Sequence, residues 1–232
     1  MEGLPSDPAG APSSRARRRR GQRRRGAVRL EHSTRLLLLR HGQTDWNAQQ
    51  RFQGQADVPL NAAGRQQAEA VRGVFADVHL DAVYSSPLSR ALDTARLARP
   101  GAEILTDPRL MEIDVGSWSG LTWDEVKASM PDYEAKYANG VDFRRSPEGE
   151  TLADVVARGL PALLEIAASH EGGTVLVVSH GLLLNRVIHA IVGAHGRVLG
   201  GLGNAHFSEL GHAHGAWRLL AHNVGIFPTP PR

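Results

Sequence analysis

The sequence predicts an α/β protein, a three-layer α/β/α sandwich around a mainly parallel central sheet. Two observations carry this expectation. Strand-sized runs that are apolar throughout, Leu36–Leu39 and Val175–Val178, alternate with segments of helical periodicity. Strands with no polar face are buried on both sides, as in a parallel sheet covered by helices. A third observation points toward function. Three expected strands end in short polar clusters, and open α/β sheets bind ligands outside the carboxyl ends of their strands.

Residues 1–33 read as a disordered, Arg-rich tail. Residues 1–30 set nine arginines against Glu2 and Asp7, a net +7, among Pro, Gly, Ala and Ser. The remainder carries 18 basic and 22 acidic residues, a net −4, so the overall +3 is a property of the tail. No aromatic residues interleave with the arginines to stack on bases. The stretch therefore reads as a solvated extension, or a start site placed upstream, and nucleic acid is not expected as a partner.

A single domain is expected over 34–225. Arg35–Leu39 reads as a strand running straight into His41-Gly42. Asn61–Phe75 reads as a helix with Asn61 as N-cap. Ala82–Tyr84 is a strand ending at Ser85-Ser86-Pro87, and Ser89–Ala98 is a helix stopped by Pro100-Gly101. Glu103–Leu105 is a short strand. Thr122–Met130 is a helix ended by Pro131, and Thr151–His170 a long helix closed by Gly172-Gly173. Thr174–Val178 is a strand ending at Ser179-His180-Gly181, followed by a helix over Leu182–Val192. Asn204–Leu210 and Ala216–His222 flank a Gly-rich turn and read as a hairpin, and 226–232 as a disordered tail.

Composition excludes several classes. The 232 residues contain no cysteine, which rules out disulfides, thiol catalysis and thiolate metal sites and fits a reducing compartment. The longest apolar runs are strand-sized, so no membrane span is expected. Arg29, Glu31, His32 and Arg35 interrupt the place where a signal sequence would need its apolar stretch, and a cytoplasmic location is expected. A phosphate-binding Gly-x-x-x-x-Gly-Lys-Ser/Thr loop is absent.

The clusters at the strand ends are Arg40-His41-Gly42, Ser85-Ser86-Pro87 with Arg90 beyond, and Ser179-His180-Gly181. The fold reading gathers two histidines and two arginines in one crevice. Guanidinium forks match phosphate oxygens. A neutral imidazole beside them is a competent nucleophile, provided a backbone carbonyl fixes its tautomer. A second imidazole can stabilise charge on the transferring oxygens.

Further motifs follow in order. They are Leu39-Arg40-His41-Gly42-Gln43-Thr44-Asp45-Trp46-Asn47, Phe52-Gln53-Gly54, Leu60-Asn61-Ala62-Ala63-Gly64, Tyr84-Ser85-Ser86-Pro87-Leu88-Ser89-Arg90-Ala91, Leu110–Gly120 with Glu112, Pro147-Glu148-Gly149-Glu150-Thr151, and Val178-Ser179-His180-Gly181. Together, over about residues 35–223, they resemble the histidine phosphatase superfamily, whose fold is that of phosphoglycerate mutases. The resemblance implies that His41 is the nucleophile, that Arg40, Arg90 and His180 bind and stabilise the phosphoryl group, and that Glu112 donates a proton to the leaving alcohol and later activates water. It adds Asn47, Gln53 and the Gly181 amide as phosphate donors. It implies a small phosphorylated metabolite as substrate, with no cofactor and no metal, and leaves a homodimer open.

Within the superfamily, the stretch Glu112–Gly120 resembles the phosphatase branch more than the mutases. Gln43–Asn47, Gly201–Ala205 and Trp217–Leu220 with Asn223 resemble bacterial glucosyl-3-phosphoglycerate phosphatases, with alpha-ribazole phosphatase and broad-specificity sugar phosphatase left open. A phosphoglycerate mutase is the competing enzyme reading, and a non-catalytic phosphoester-binding regulatory protein the competing class. The segment Pro131–Arg145 is expected to cover the site. Arg144 and Arg145 could meet a substrate carboxylate, although solvent is the preferred reading. His206, His212 and His214 are not expected to bind metal. Trp118 and Trp123 suit core packing at least as well as a substrate wall.

Overall fold

The computed structural model describes residues 33–194 and 198–225. The N-terminal Arg-rich tail, apart from Ser33, and the tail at 226–232 lie outside the described residues.

Six strands form one sheet: β1 (Thr34–Arg40), β2 (Ala82–Ser85), β3 (Leu105–Thr106), β4 (Thr174–Ser179), β5 (Phe207–Ala213) and β6 (Ala216–Val224), in the order β3-β2-β4-β1-β5-β6. The pairs β3–β2, β2–β4 and β4–β1 are parallel, while β5 and β6 add an antiparallel hairpin beside β1. Its turn uses His214 and Gly215, both at positive φ (52° and 72°), the type I′ geometry that follows strand twist.

Alternation along β1 and β4 explains the layers. Leu36, Leu38, Val175 and Val177 point into one core with α6 (Leu152–Ser169) and α7 (Gly181–Val192). Leu37, Leu39, Leu176 and Val178 point into the other with α2 (Ala62–Phe75) and α3 (Ser89–Ala98). Both strands are buried on both faces, which is why neither shows a polar stripe.

Helix ends follow side-chain chemistry. Asn61 Oδ1 accepts from Gly64 N at 2.8 Å, and Thr122 and Thr151 form capping boxes with Glu125 and Asp154. Two helices go beyond the sequence expectation, α1 (Asp45–Ala48) and α5 (Tyr133–Ala138); α4 is Trp123–Ser129. Two strand readings shift. β3 occupies Leu105–Thr106, and β5 starts at Phe207 because Asn204, Ala205 and His206 bond to the end of β1 instead. Among the described residues, no helix is long and apolar enough to cross a membrane.

Candidate active site

Register builds the site. Arg40 of β1 pairs with Ser179 of β4, and Ser85 of β2 with Val178. The next residues, His41, His180 and Ser86, therefore emerge side by side. The chain leaves β1 toward β2 and leaves β4 toward β5, in opposite directions, so this crevice is the switch point of the sheet.

His41 is buried, and its ring centroid lies 5.2 Å from that of His180. Its Nδ1 is 2.7 Å from the carbonyl of Gly42. A carbonyl only accepts, so Nδ1 carries the proton and Nε2 keeps its lone pair. Burial, with Arg90 and Arg40 adding repulsion, holds the His41 pKa well below the usual imidazole range. The ring is neutral at neutral pH. His180 is pushed down in the same way, by burial first and then by Arg90, and its Nε2 contacts Ser86 Oγ at 2.8 Å.

The Gly42 carbonyl is held by its surroundings. Gly42 N donates to Thr94 Oγ1 at 3.0 Å, and that hydroxyl donates to the Arg90 carbonyl at 2.6 Å. Thr94 thus ties the His41-Gly42 loop to the helix that carries Arg90. A Cβ on Gly42 would collide with the carbonyl of Gly64, and one on Gly64 with that of Gln43. Glycine at both positions lets the start of α2 lie against this loop.

Arg90 is fully buried at the start of α3. Its Nη1 and Nη2 donate to the carbonyls of Ala56 and Gly54, each at 2.7 Å. Desolvation lowers its pKa to about 10, against the support of Glu112 and Asp57, and it stays cationic at neutral pH. Arg40 donates through Nη1 to the Leu202 carbonyl at 2.6 Å and lies against Gly181. Among the described residues, Arg40 Nε, Arg90 Nε and His180 Nδ1 are buried without a hydrogen-bond partner. Unpaired buried donors are costly, and the two guanidinium Nε–H groups beside the two imidazoles make a cradle for an anion.

Asn47 and Gln53 share an organiser. Thr44 Oγ1 lies 3.1 Å from Asn47 Oδ1 and 3.0 Å from Gln53 Oε1. Thr44 N and Asn204 Nδ2 also donate to Asn47 Oδ1, each at 3.1 Å. With both carbonyl oxygens engaged, each side chain offers its NH₂ to a ligand. Asn204 Nδ2 further reaches the carbonyls of His41 and Gly42, at 3.2 and 3.3 Å. The sequence reading assigns no role to Thr44, Thr94 or Asn204. The Thr44-x-x-Asn47 spacing of a capping box is the available signal for the first.

The Glu112 carboxylate accepts from the Leu182 and Leu183 amides at the start of α7, at 3.2 and 3.1 Å, and from Ile113 N at 3.0 Å. Its charge supports both Arg40 and Arg90. Glu112 thus lies with Arg40, Arg90 and the start of α7, while Asn47 and Gln53 meet at Thr44 in the loop that follows β1.

One expectation fails at Arg145. The sequence favours solvent, but Arg145 is buried, bonded to the Phe143 carbonyl, with its guanidinium 4.3 Å from the Phe143 ring centroid. Arg144 is exposed. Trp118 is buried and Trp123 half-exposed, and both pack on Phe52, the residue before Gln53. Among the described residues, no group of three His, Asp or Glu is placed to hold a metal.

Comparison with known proteins agrees with this geometry. Residues 36–225 match the histidine phosphatase superfamily (branch 1). A glucosyl-3-phosphoglycerate phosphatase of Mycolicibacterium vanbaalenii is 40% identical over 77% of this chain and 84% of its own. A probable phosphoglycerate mutase of an Enterobacter species is 35% identical over 68% of this chain and 74% of its own. Among solved structures, a mycobacterial glucosyl-3-phosphoglycerate phosphatase complexed with VO3 superposes with a TM-score of 0.74, at 38% identity, over 82% of this chain and 99% of that one. A neutral buried imidazole between guanidiniums, the order of the motifs and the span of the match agree, and the chain belongs to the histidine phosphatase superfamily, branch 1.

Proposed function

We propose that His41 takes the phosphoryl group of a phosphate monoester and that water then removes it. The chain is a phosphoric monoester hydrolase of its superfamily. The observation that carries the assignment to His41 is its tautomer: Nδ1–H bonded to the Gly42 carbonyl, in a ring kept neutral between two cations.

In the first step the Nε2 lone pair attacks phosphorus and the P–O bond to the alcohol breaks. Glu112 in its acid form gives the departing oxygen its proton. In the second step Glu112, now a carboxylate, takes a proton from water. The hydroxide oxygen bonds to phosphorus, the P–N bond breaks, and His41 returns neutral. Arg40, Arg90 and His180 bind the non-bridging oxygens, with the NH₂ groups of Asn47 and Gln53 and the Gly181 amide as further donors. Charge stabilisation by such fixed groups dominates phosphoryl transfer.

The substrate is a small phosphorylated metabolite, and glucosyl-3-phosphoglycerate is the leading candidate. The mycobacterial relatives carry that name. A mutase would share the phosphohistidine but return the group to a second alcohol, and the Enterobacter relative keeps that reading in view. A panel of monoesters that includes 3-phosphoglycerate and glucosyl-3-phosphoglycerate decides. Released phosphate is expected, and isomerised product without release would refute hydrolysis. His41→Ala is expected to abolish turnover and the acid-labile phosphoenzyme. A fully active variant would overturn the assignment.

A further inference from the structure

We infer that Arg158, gripped by Glu150, is a positioning residue that holds Glu112 where it can deliver its proton. The inference rests on the proposed role of Glu112. Neither Arg158 nor Glu150 touches the reacting atoms.

The need for such a device is local. Glu112 lies in a stretch with no regular structure, between single turns at Pro108–Leu110 and Gly116–Trp118. No helix or strand fixes its backbone. Arg158 does so from α6. Its Nη1 donates to the carbonyls of Arg109 and Met111, at 2.9 and 2.6 Å, and its Nη2 to the carbonyl of Glu112 itself, at 2.8 Å. Nε and Nη2 also grip Glu150, at 2.8 and 2.9 Å. All five guanidinium N–H groups are committed, each to its own acceptor.

Glu150 closes the clamp from the other side. Its Oε2 accepts from Asp114 N at 2.8 Å, and its own N donates to the Asp114 carbonyl at 2.8 Å. The loop is thus held on both flanks of Glu112. The pair is mostly shielded, with side chains 19% and 21% exposed. A planar five-donor fork is required here, and lysine, a point charge with three donors, cannot reproduce it.

A clamp on the proton donor predicts selectivity by leaving group, which a purely structural role does not. The readout is kcat/KM for p-nitrophenyl phosphate, whose leaving group needs no proton, and for an alkyl monoester, whose leaving group does. R158K is expected to lose about tenfold or more on the alkyl ester and less than about threefold on the activated one, since general acids contribute about 10²–10⁴-fold. Its affinity for inorganic phosphate should stay within about twofold, because the cradle is untouched. The double variant R158K/E112Q should be no slower than E112Q, because two residues acting through one proton donor are non-additive. Equal losses on both esters, or additive losses in the double variant, would overturn the inference. Should R158K not fold, E150Q carries the same expectations and the same refutation. E112Q alone separates the two claims. If it shows leaving-group selectivity and the clamp variants do not, the clamp is wrong; if it shows none, the proton-donor reading falls and takes the clamp with it.

Discussion

His41 combines burial, two cationic neighbours and one carbonyl acceptor, and each has a separate consequence. The Gly42 carbonyl sets which His41 nitrogen keeps its lone pair, and Thr94 accepts from the N–H of the same glycine. Thr94→Val keeps shape but strips the buried Gly42 N–H of its acceptor, a loss of about 1–3 kcal/mol. Chemical denaturation should show that loss together with a fall in kcat/KM, and an unchanged kcat/KM would show that the loop needs no tether. Thr44→Val acts on different groups. It removes the hydroxyl that engages Gln53 Oε1 and leaves Asn47 Oδ1 with Thr44 N and Asn204 Nδ2, so weaker phosphate binding through Gln53 is expected in titration calorimetry, with the His41 tautomer unaffected.

At the scale of elements, the pairing of β1 with β4 carries most of the geometry. Leu38→Ala is expected to cost about 2–5 kcal/mol in denaturant unfolding, because the residue is completely buried in the sheet. Gly64→Ala would push α2 off the loop that follows His41 and should lower both stability and turnover, measurable by melting and by kcat. These same elements are the most readable in the sequence. β1, β4, α2, α3, α6 and α7 announce themselves through continuous apolar runs, Asn and Thr caps, and Pro or Gly stops. The candidate site residues are legible because strand ends are where such sheets bind ligands, and because their order resembles a family. What stays hidden depends on tertiary partners. α5 lies in a polar stretch and is ordered by Tyr133 packing against Trp118, Trp123 and Phe143. Arg145 looks solvated in sequence, yet an aromatic ring and a backbone carbonyl shelter it. The roles of Thr94, Asn204 and Arg158 are long-range hydrogen bonds, which no local pattern encodes.

For the molecule as a whole, two buried neutral imidazoles make folding sensitive to acid. In the unfolded chain His41 and His180 titrate near 6.5, whereas in the fold both sit well below. Below about pH 6.5 the unfolded state binds more protons, so stability falls as pH drops and levels off only below the folded-state values. Above that pH both rings are neutral in either state and contribute no slope. Thermal melts across this range should show the decline, and His41→Asn should make it shallower. A decline of the same steepness in the variant would place the acid sensitivity elsewhere.

The register of β1 against β4 also bears on how the enzyme would fail. His41 and His180 directly follow the two innermost strands, β1 and β4, and central strands belong to the most protected part of a fold. Hydrogen exchange should therefore be slowest at Leu37, Leu38 and Leu39 on β1 and at Val175, Leu176 and Val177 on β4, and heat inactivation should coincide with global melting rather than precede it.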